Sequence, residues 1–217
     1  MEAQLLESEK QLIKIKSSKG LMWLGIVSIC MLFAGLTSAY MVRQGEGKWV
    51  QFAMPDLFKV STILILLSSV TMQWSVNSIK KNNRKNLKLA LTLTTVLGIG
   101  FVVFQYLAWS QLTEQGIFFV GQVKDIKGAY QYIPAARETA SEIQGMGNVA
   151  GSFLYVITGL HVAHLLGGMI ALFVVLSRAL IGKYSAANYN GVRICAIYWH
   201  FLDGLWVYLF FFLLYIR

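Results

Sequence analysis

Apolar residues in this chain do not recur singly at the period of a water-soluble core. They come in five long runs, near residues 21–42, 58–79, 88–112, 150–177 and 194–216. A helix needs about 20 mostly apolar residues to cross the hydrocarbon of a bilayer, and each run is that long. The run from Leu21 to Val42 carries no charge; Lys59 stands at the edge of the second, where its stem can reach back to the interface. The pattern predicts an all-α integral membrane protein, a helical bundle with five transmembrane helices in a single membrane domain, 1–217. No internal repeat period is visible.

Polar segments fill the gaps. Residues 1–20 mix Glu and Lys and read as a short amphipathic or frayed helix on the membrane surface. The first apolar run is too long for a signal-peptide core, so it is expected to stay uncleaved. The third connection, 113–149, is the one sizeable piece outside the membrane. Its glycines and Pro134 predict an irregular segment packed on a neighbouring surface.

Composition supports this picture. The 217 residues are 56% hydrophobic and 13% charged, against roughly 25% charged in soluble proteins. A net charge of +9 raises the question of nucleic acid. The basic residues, however, sit in short connections between apolar runs, so no nucleic-acid partner is expected. Lys10, Lys14, Lys16 and Lys19 precede the first run. Lys80, Lys81, Arg84, Lys85 and Lys88 follow the second, and Arg178, Lys183 and Arg193 lie between the fourth and fifth. These twelve fall on one side of the membrane and the remaining seven of the 19 Lys and Arg on the other. The positive-inside rule then predicts a cytoplasmic N-terminus, an external loop at 113–149 and an external C-terminus. Cys30 and Cys195 lie in or beside apolar runs and read as small buried residues rather than a disulfide.

Candidate chemistry is confined to the last two runs. All three histidines are there: His161 and His164 in "GLHVAHLLGG", His200 in "YWHFLDGLW", with Asp203 the single carboxylate inside a run. Residues three apart share a helix face, which pairs His161 with His164 and His200 with Asp203. Gly168 continues the first face, and Gly204 and Val207 the second. Packing the fourth span on the fifth would bring the two pairs together. Three readings stay open: hydrogen-bonded contacts between helices, a metal or haem site, and a proton relay. The ligand reading has one closely spaced histidine pair where a haem wants histidines on facing helices and zinc wants three or four converging ligands. A Ser-based hydrolase lacks G-x-S-x-G, and Ser152 has no evident base. Gly167-Gly168, mid-span, points to close packing rather than phosphate binding.

These residues carry a resemblance. "GSFLYVITGLHVAHLLGG" (151–168) followed by "YWHFLDGLW" (198–206) resembles the paired signature of the haem–copper oxidase subunit III family, as in cytochrome c oxidase. "WLGIVSICMLFAGLTSAYMVR" (23–43), "STILILLSSVTM" (61–72) and "FQYLAW" (104–109) are similar to the family's earlier spans. The resemblance implies the five-helix bacterial form, lacking the first two of seven spans, in the cell inner (plasma) membrane. It implies a subunit without catalytic residues or cofactors of its own, beside subunits I and II, which hold the haems and copper. Such a subunit stabilises subunit I, protects the oxidase during turnover, binds phospholipids and supports proton uptake. Cytochrome c is the expected donor, quinol the alternative, and an electron-donating complex a further partner. In that setting His161, His164, His200 and Asp203 are structural polar contacts, with Tyr198, Trp199, Gly167 and Gly168 completing the motif. Arg193 and Arg43 are candidate contacts for a lipid headgroup or a partner.

Three family carboxylates are absent: Ile29, Ala108 and Arg193 stand where the family usually has Glu. Roles that depend on them are not carried over. The competing reading is an independent transporter or b-type cytochrome built on the buried His/Asp group.

Overall fold

The computed structural model describes residues 2–46, 49–51, 54–120, 131–133 and 148–216. Five helices dominate: α1 (Glu2–Gly45), α2 (Leu57–Lys80), α3 (Arg84–Glu114), α4 (Val149–Leu180) and α5 (Asn190–Tyr215). All five are long and apolar enough to cross a membrane. Even the shortest, α2 with 24 residues, is about 36 Å long at 1.5 Å per residue, more than the hydrocarbon thickness.

Two features extend the sequence expectation. The polar segment at 1–20 is not a separate surface helix. From Glu2 onward it is continuous with the first span, in a helix of 44 residues. The third connection is tied down by pairing: β1 (Trp49–Gln51) and β2 (Gln131–Ile133) form a two-stranded antiparallel ribbon, with Val50 opposite Tyr132. The ribbon joins the first and third connections at one end of the bundle, and Trp49 packs edge-on against Tyr40, ring centres 4.7 Å apart. Pro134 lies outside the described residues.

Three of the helices end by the same device. Asn82 (φ 55°), Gly116 (φ 89°) and Gly182 (φ 79°) adopt the left-handed conformation just past α2, α3 and α4. The following N–H groups then reach back to Ser78, Leu112 and Arg178, satisfying the last carbonyls. Asn83 and Asn148 cap the next helices, their side chains accepting from the N–H groups of Asn86 and Gly151.

Buried positions recur at alternating spacings of three and four. On α3 they include Leu87, Leu91, Thr94, Gly98, Phe101, Gln105, Ala108 and Leu112. On α2 they include Phe58, Ser61, Ile65, Ser68, Met72, Ser75 and Ile79. That 3.5-residue period lets helices stay in contact over their whole length. α2 and α3 form one hairpin and α4 and α5 another; α2 packs on α5, and α3 on α4. α1 leans on α4 and α5, with only 17% of its most apolar window buried.

Candidate functional site

The motif face of α5 is turned toward α2. Trp199 and Trp206, both fully buried, donate their indole N–H groups to Ser68 Oγ and Thr62 Oγ1, each at 3.0 Å. Between them His200 meets Ser69 Oγ through Nδ1 at 2.7 Å and Gln73 Oε1 through Nε2 at 3.2 Å. Asp203, one turn further on, is 2% exposed. Its oxygens make no hydrogen bond of good geometry, and Ser69 is the hydroxyl beside them. Hydroxyls suit this role because they stay satisfied when their partner is absent: Ser68 donates to Ile65 O and Thr62 to Phe58 O.

His161 lies elsewhere. It is fully buried in an aromatic cage, its ring 5.0 Å from Trp206, 5.9 Å from Phe101 and 6.5 Å from Phe33. Neither ring nitrogen has a hydrogen-bond partner. His164 is half-buried; its Nδ1 lies 2.7 Å from Leu160 O on its own helix, and Phe33 of α1 packs 5.8 Å away. The spacing argument therefore holds within each helix, and its consequence across helices does not. His161 and His164 share a face toward Phe33, while His200 and Asp203 share a face toward α2. The expected meeting of the two pairs across the fourth and fifth spans is absent, because α5 presents that face to the Ser/Thr stripe of α2. Among the described residues, no three His, Cys, Asp or Glu converge to hold a metal ion.

The glycines divide. A Cβ on Gly168 would lie 3.1 Å from Leu202 Cδ1 and 3.2 Å from Tyr198 Cε1, so this position lets α4 and α5 approach closely. The Tyr198 hydroxyl donates to His164 O at 3.4 Å across the same contact. Gly167 and Gly204 have nothing within 4 Å of a Cβ and face outward. Arg43 pairs with Glu46 at 2.6 Å on the surface, and Arg193 is exposed at the start of α5. Cys30 and Cys195 are free thiols, the first exposed.

Sequence reasoning passed over the α2 side of the site. Thr62, Ser68, Ser69 and Gln73 supply each partner of Trp199, His200 and Trp206. The signal was available: Ser61, Ser68 and Ser75 repeat every seven residues in an apolar run, and all three are fully buried. Gln105 on α3, also fully buried and without a protein partner, was missed as well.

A five-helix membrane bundle in which hydroxyls such as Ser68, Thr62 and Thr158 accept hydrogen bonds from another helix belongs to the polytopic integral-membrane proteins. Comparison with known proteins narrows the class. The family model described as "Cytochrome c oxidase subunit III" matches residues 127–217, which include α4 and α5. The chain is 32% identical to a cytochrome c oxidase subunit 3 of Corynebacterium diphtheriae over 83% of its own length and 78% of the relative's. It is 28% identical to a probable cytochrome c oxidase subunit 3 of Mycobacterium leprae, covering 90% of this chain and 85% of that one. A third relative, cytochrome c oxidase subunit 3 of Thermostichus vulcanus, is 27% identical over 85% of this chain and 80% of its own. The chain belongs to the cytochrome c oxidase subunit III family.

Proposed function

We propose that the chain is the non-catalytic third subunit of a respiratory haem–copper oxidase. In this reading it packs beside subunit I, stabilises it and holds phospholipids, while haems and copper reside in subunits I and II. Dioxygen reduction and proton pumping then belong to the complex. Its setting is a bacterial inner membrane, with the Lys80–Lys88 end cytoplasmic.

The observation that supports this most is how the polar motif is used. Trp199, His200 and Trp206 spend their hydrogen-bonding groups on α2, which suits a scaffold better than a ligand set or substrate site. The outward surface is broad and apolar, including Leu24, Val27 and Met31 on α1 and Leu166 and Ile170 on α4. Lipid and a larger membrane partner are the natural occupants of such a surface. Exposed Arg193, at the basic end of the bundle, suits a lipid phosphate or a neighbour's carboxylate.

The test is extraction in mild detergent, affinity purification through this chain, mass spectrometry and a reduced-minus-oxidised spectrum. The expected result is co-purification of a large polytopic subunit with a-type or o-type haem absorbance. A colourless chain recovered alone would overturn the reading in favour of a transporter. A b-type spectrum from the lone chain would return His161, His164 and His200 to the role of haem ligands.

A further inference from the structure

Polar and small side chains interrupt the outward face of the bundle where α2 meets α5. On α5 the outward positions recur every three or four residues, through Ile197, His200, Gly204, Tyr208 and Phe211, and each is at least partly exposed. The strip borders α2 at His200, whose ring is fixed between Ser69 Oγ at 2.7 Å and Gln73 Oε1 at 3.2 Å. It borders α1 at Tyr208, whose hydroxyl donates to Thr37 Oγ1 at 3.2 Å. Between the two borders lies Gly204, where a Cβ would meet nothing within 4 Å.

The α2 border has hydrogen-bonding capacity left over. Gln73 and Asn77 are exposed. Gln73 Nε2 carries two hydrogens, and one goes to Asn77 Oδ1 at 3.4 Å. The other, and both hydrogens of Asn77 Nδ2, have no acceptor among the described residues. Gln73 and His200 each stand seven residues inside a basic position, Lys80 and Arg193, which is about 10 Å along a helix. That is hydrocarbon depth. Acyl chains accept no hydrogen bonds there, and lipid phosphates stay outside, at the level of the basic residues. A polar side chain in such a place is met by another helix, which comes closest where the surface residue is small. Charge points the same way. Residues 57–113 and 149–202 contain no Asp or Glu, so neither segment supplies a carboxylate to offset Lys80, Lys81 and exposed Arg193 at the foot of the strip.

We propose that this α2–α5 seam docks a transmembrane helix of another subunit. That helix crosses over Gly204, presents an oxygen acceptor (hydroxyl, amide or carboxylate) at the level of Gln73, and carries an acidic side chain near Arg193. The inference rests on the reading of the chain as one subunit of a larger membrane complex, and it names the face and the chemistry of the contact.

The test uses the full chain in its own membranes, with a benzophenone amino acid placed at single positions. Leu66, one turn from Ser69 and 47% exposed, and Gly204 lie on the seam. Val96 on α3 and Ile170 on α4, 58% and 67% exposed, lie on other faces. After irradiation, mass spectrometry should find adducts to a transmembrane segment of a second polypeptide from the two seam positions and not from Val96 or Ile170. Gly204→Leu should cut the partner recovered per chain several-fold and leave the unfolding of the isolated chain unchanged. Gly167→Leu, equally open but on α4, should keep the partner. Seam adducts to lipid alone, peptide adducts only from Val96 and Ile170, or full partner recovery with Gly204→Leu would overturn the seam and leave the subunit reading intact. A wild-type chain that recovers no partner would overturn both.

Discussion

Gly98 on α3 faces the broad edge of Trp199, and the fit leaves no room for a methyl group. A Cβ there would lie 2.9 Å from Trp199 Cη2 and 3.1 Å from Cζ2. The indole cannot swing away, being fully buried and held by its 3.0 Å bond to Ser68. Gly98→Ala must therefore push α3 from α5, and such overpacking costs about 1–3 kcal/mol. Alanine returns about 1 kcal/mol of helix propensity, leaving a net loss of about 0–2 kcal/mol. Gly100→Ala is the control, because its Cβ would meet only Leu64 Cδ1 at an ordinary 3.6 Å; it should gain up to about 1 kcal/mol from the same propensity term. Unfolding in mixed micelles of rising SDS content, followed by tryptophan fluorescence and circular dichroism, would measure both. Trp199→Phe removes the clashing ring edge, so Gly98→Ala should cost less in that background, with a coupling of about 1 kcal/mol or more. If Gly98→Ala is as stable as Gly100→Ala, or the cycle shows no coupling, the close fit of the Trp199 ring against Gly98 is wrong.

Other consequences are as direct. The Trp206–Thr62 bond should give a coupling near 0.6 kcal/mol, and no more than about 1.7, in a Trp206→Phe/Thr62→Val cycle; a null cycle would mean the two groups do not meet. Gly168→Leu should separate α4 from α5 and destabilise the chain, whereas Gly167→Leu, one residue away and open, should leave the isolated chain unchanged in the same SDS titration. The Lys59 ammonium holds the Asp56 carboxyl below its ordinary value, by its hydrogen bond first and its charge second. That contribution is present above the unfolded value and is lost as pH falls through the lower folded one. Asp56 is fully exposed, so the Asp56→Asn difference in melting temperature should be small at neutral pH, weaken with salt and vanish in acid.

The five spans were legible because hydropathy over about 20 residues is a direct report of bilayer thickness. Helix ends were less so. Polar residues such as Arg84–Lys88 continue a helix into the interface at no hydrophobic gain, so α3 begins four residues before the apolar run was placed. The pairing of β1 with β2 depends on two loops meeting, which no local pattern records. At the site, the i,i+3 rule correctly placed His200 with Asp203 on one face, yet it could not say which helix that face meets. The answer lay in the serines of α2, whose sevenfold spacing reads as filler until Trp199, His200 and Trp206 are set against them.

The absent carboxylates can be weighed by the packing that replaces them. Ala108 is fully buried and Ile29 is 9% exposed, both in the apolar core, while Arg193 is exposed at a helix start. Ile29 lies near the centre of the first span, one turn from Phe33, which covers His161 and His164. Restoring a carboxylate by Ile29→Glu would place it at mid-bilayer depth with no basic side chain on α1 between Lys19 and Arg43. Charged side chains at a helix centre cost about 2.5–3.5 kcal/mol on insertion scales. The variant should therefore lower membrane insertion and stability, and leave proton pumping per surviving complex unchanged. Ile29→Gln, similar in size and uncharged, separates charge from shape and should lose less. Should Ile29→Glu insert as well as wild type and alter pumping, the site would still accept a titrating group, and the apolar packing around Phe33 would not be what excludes it.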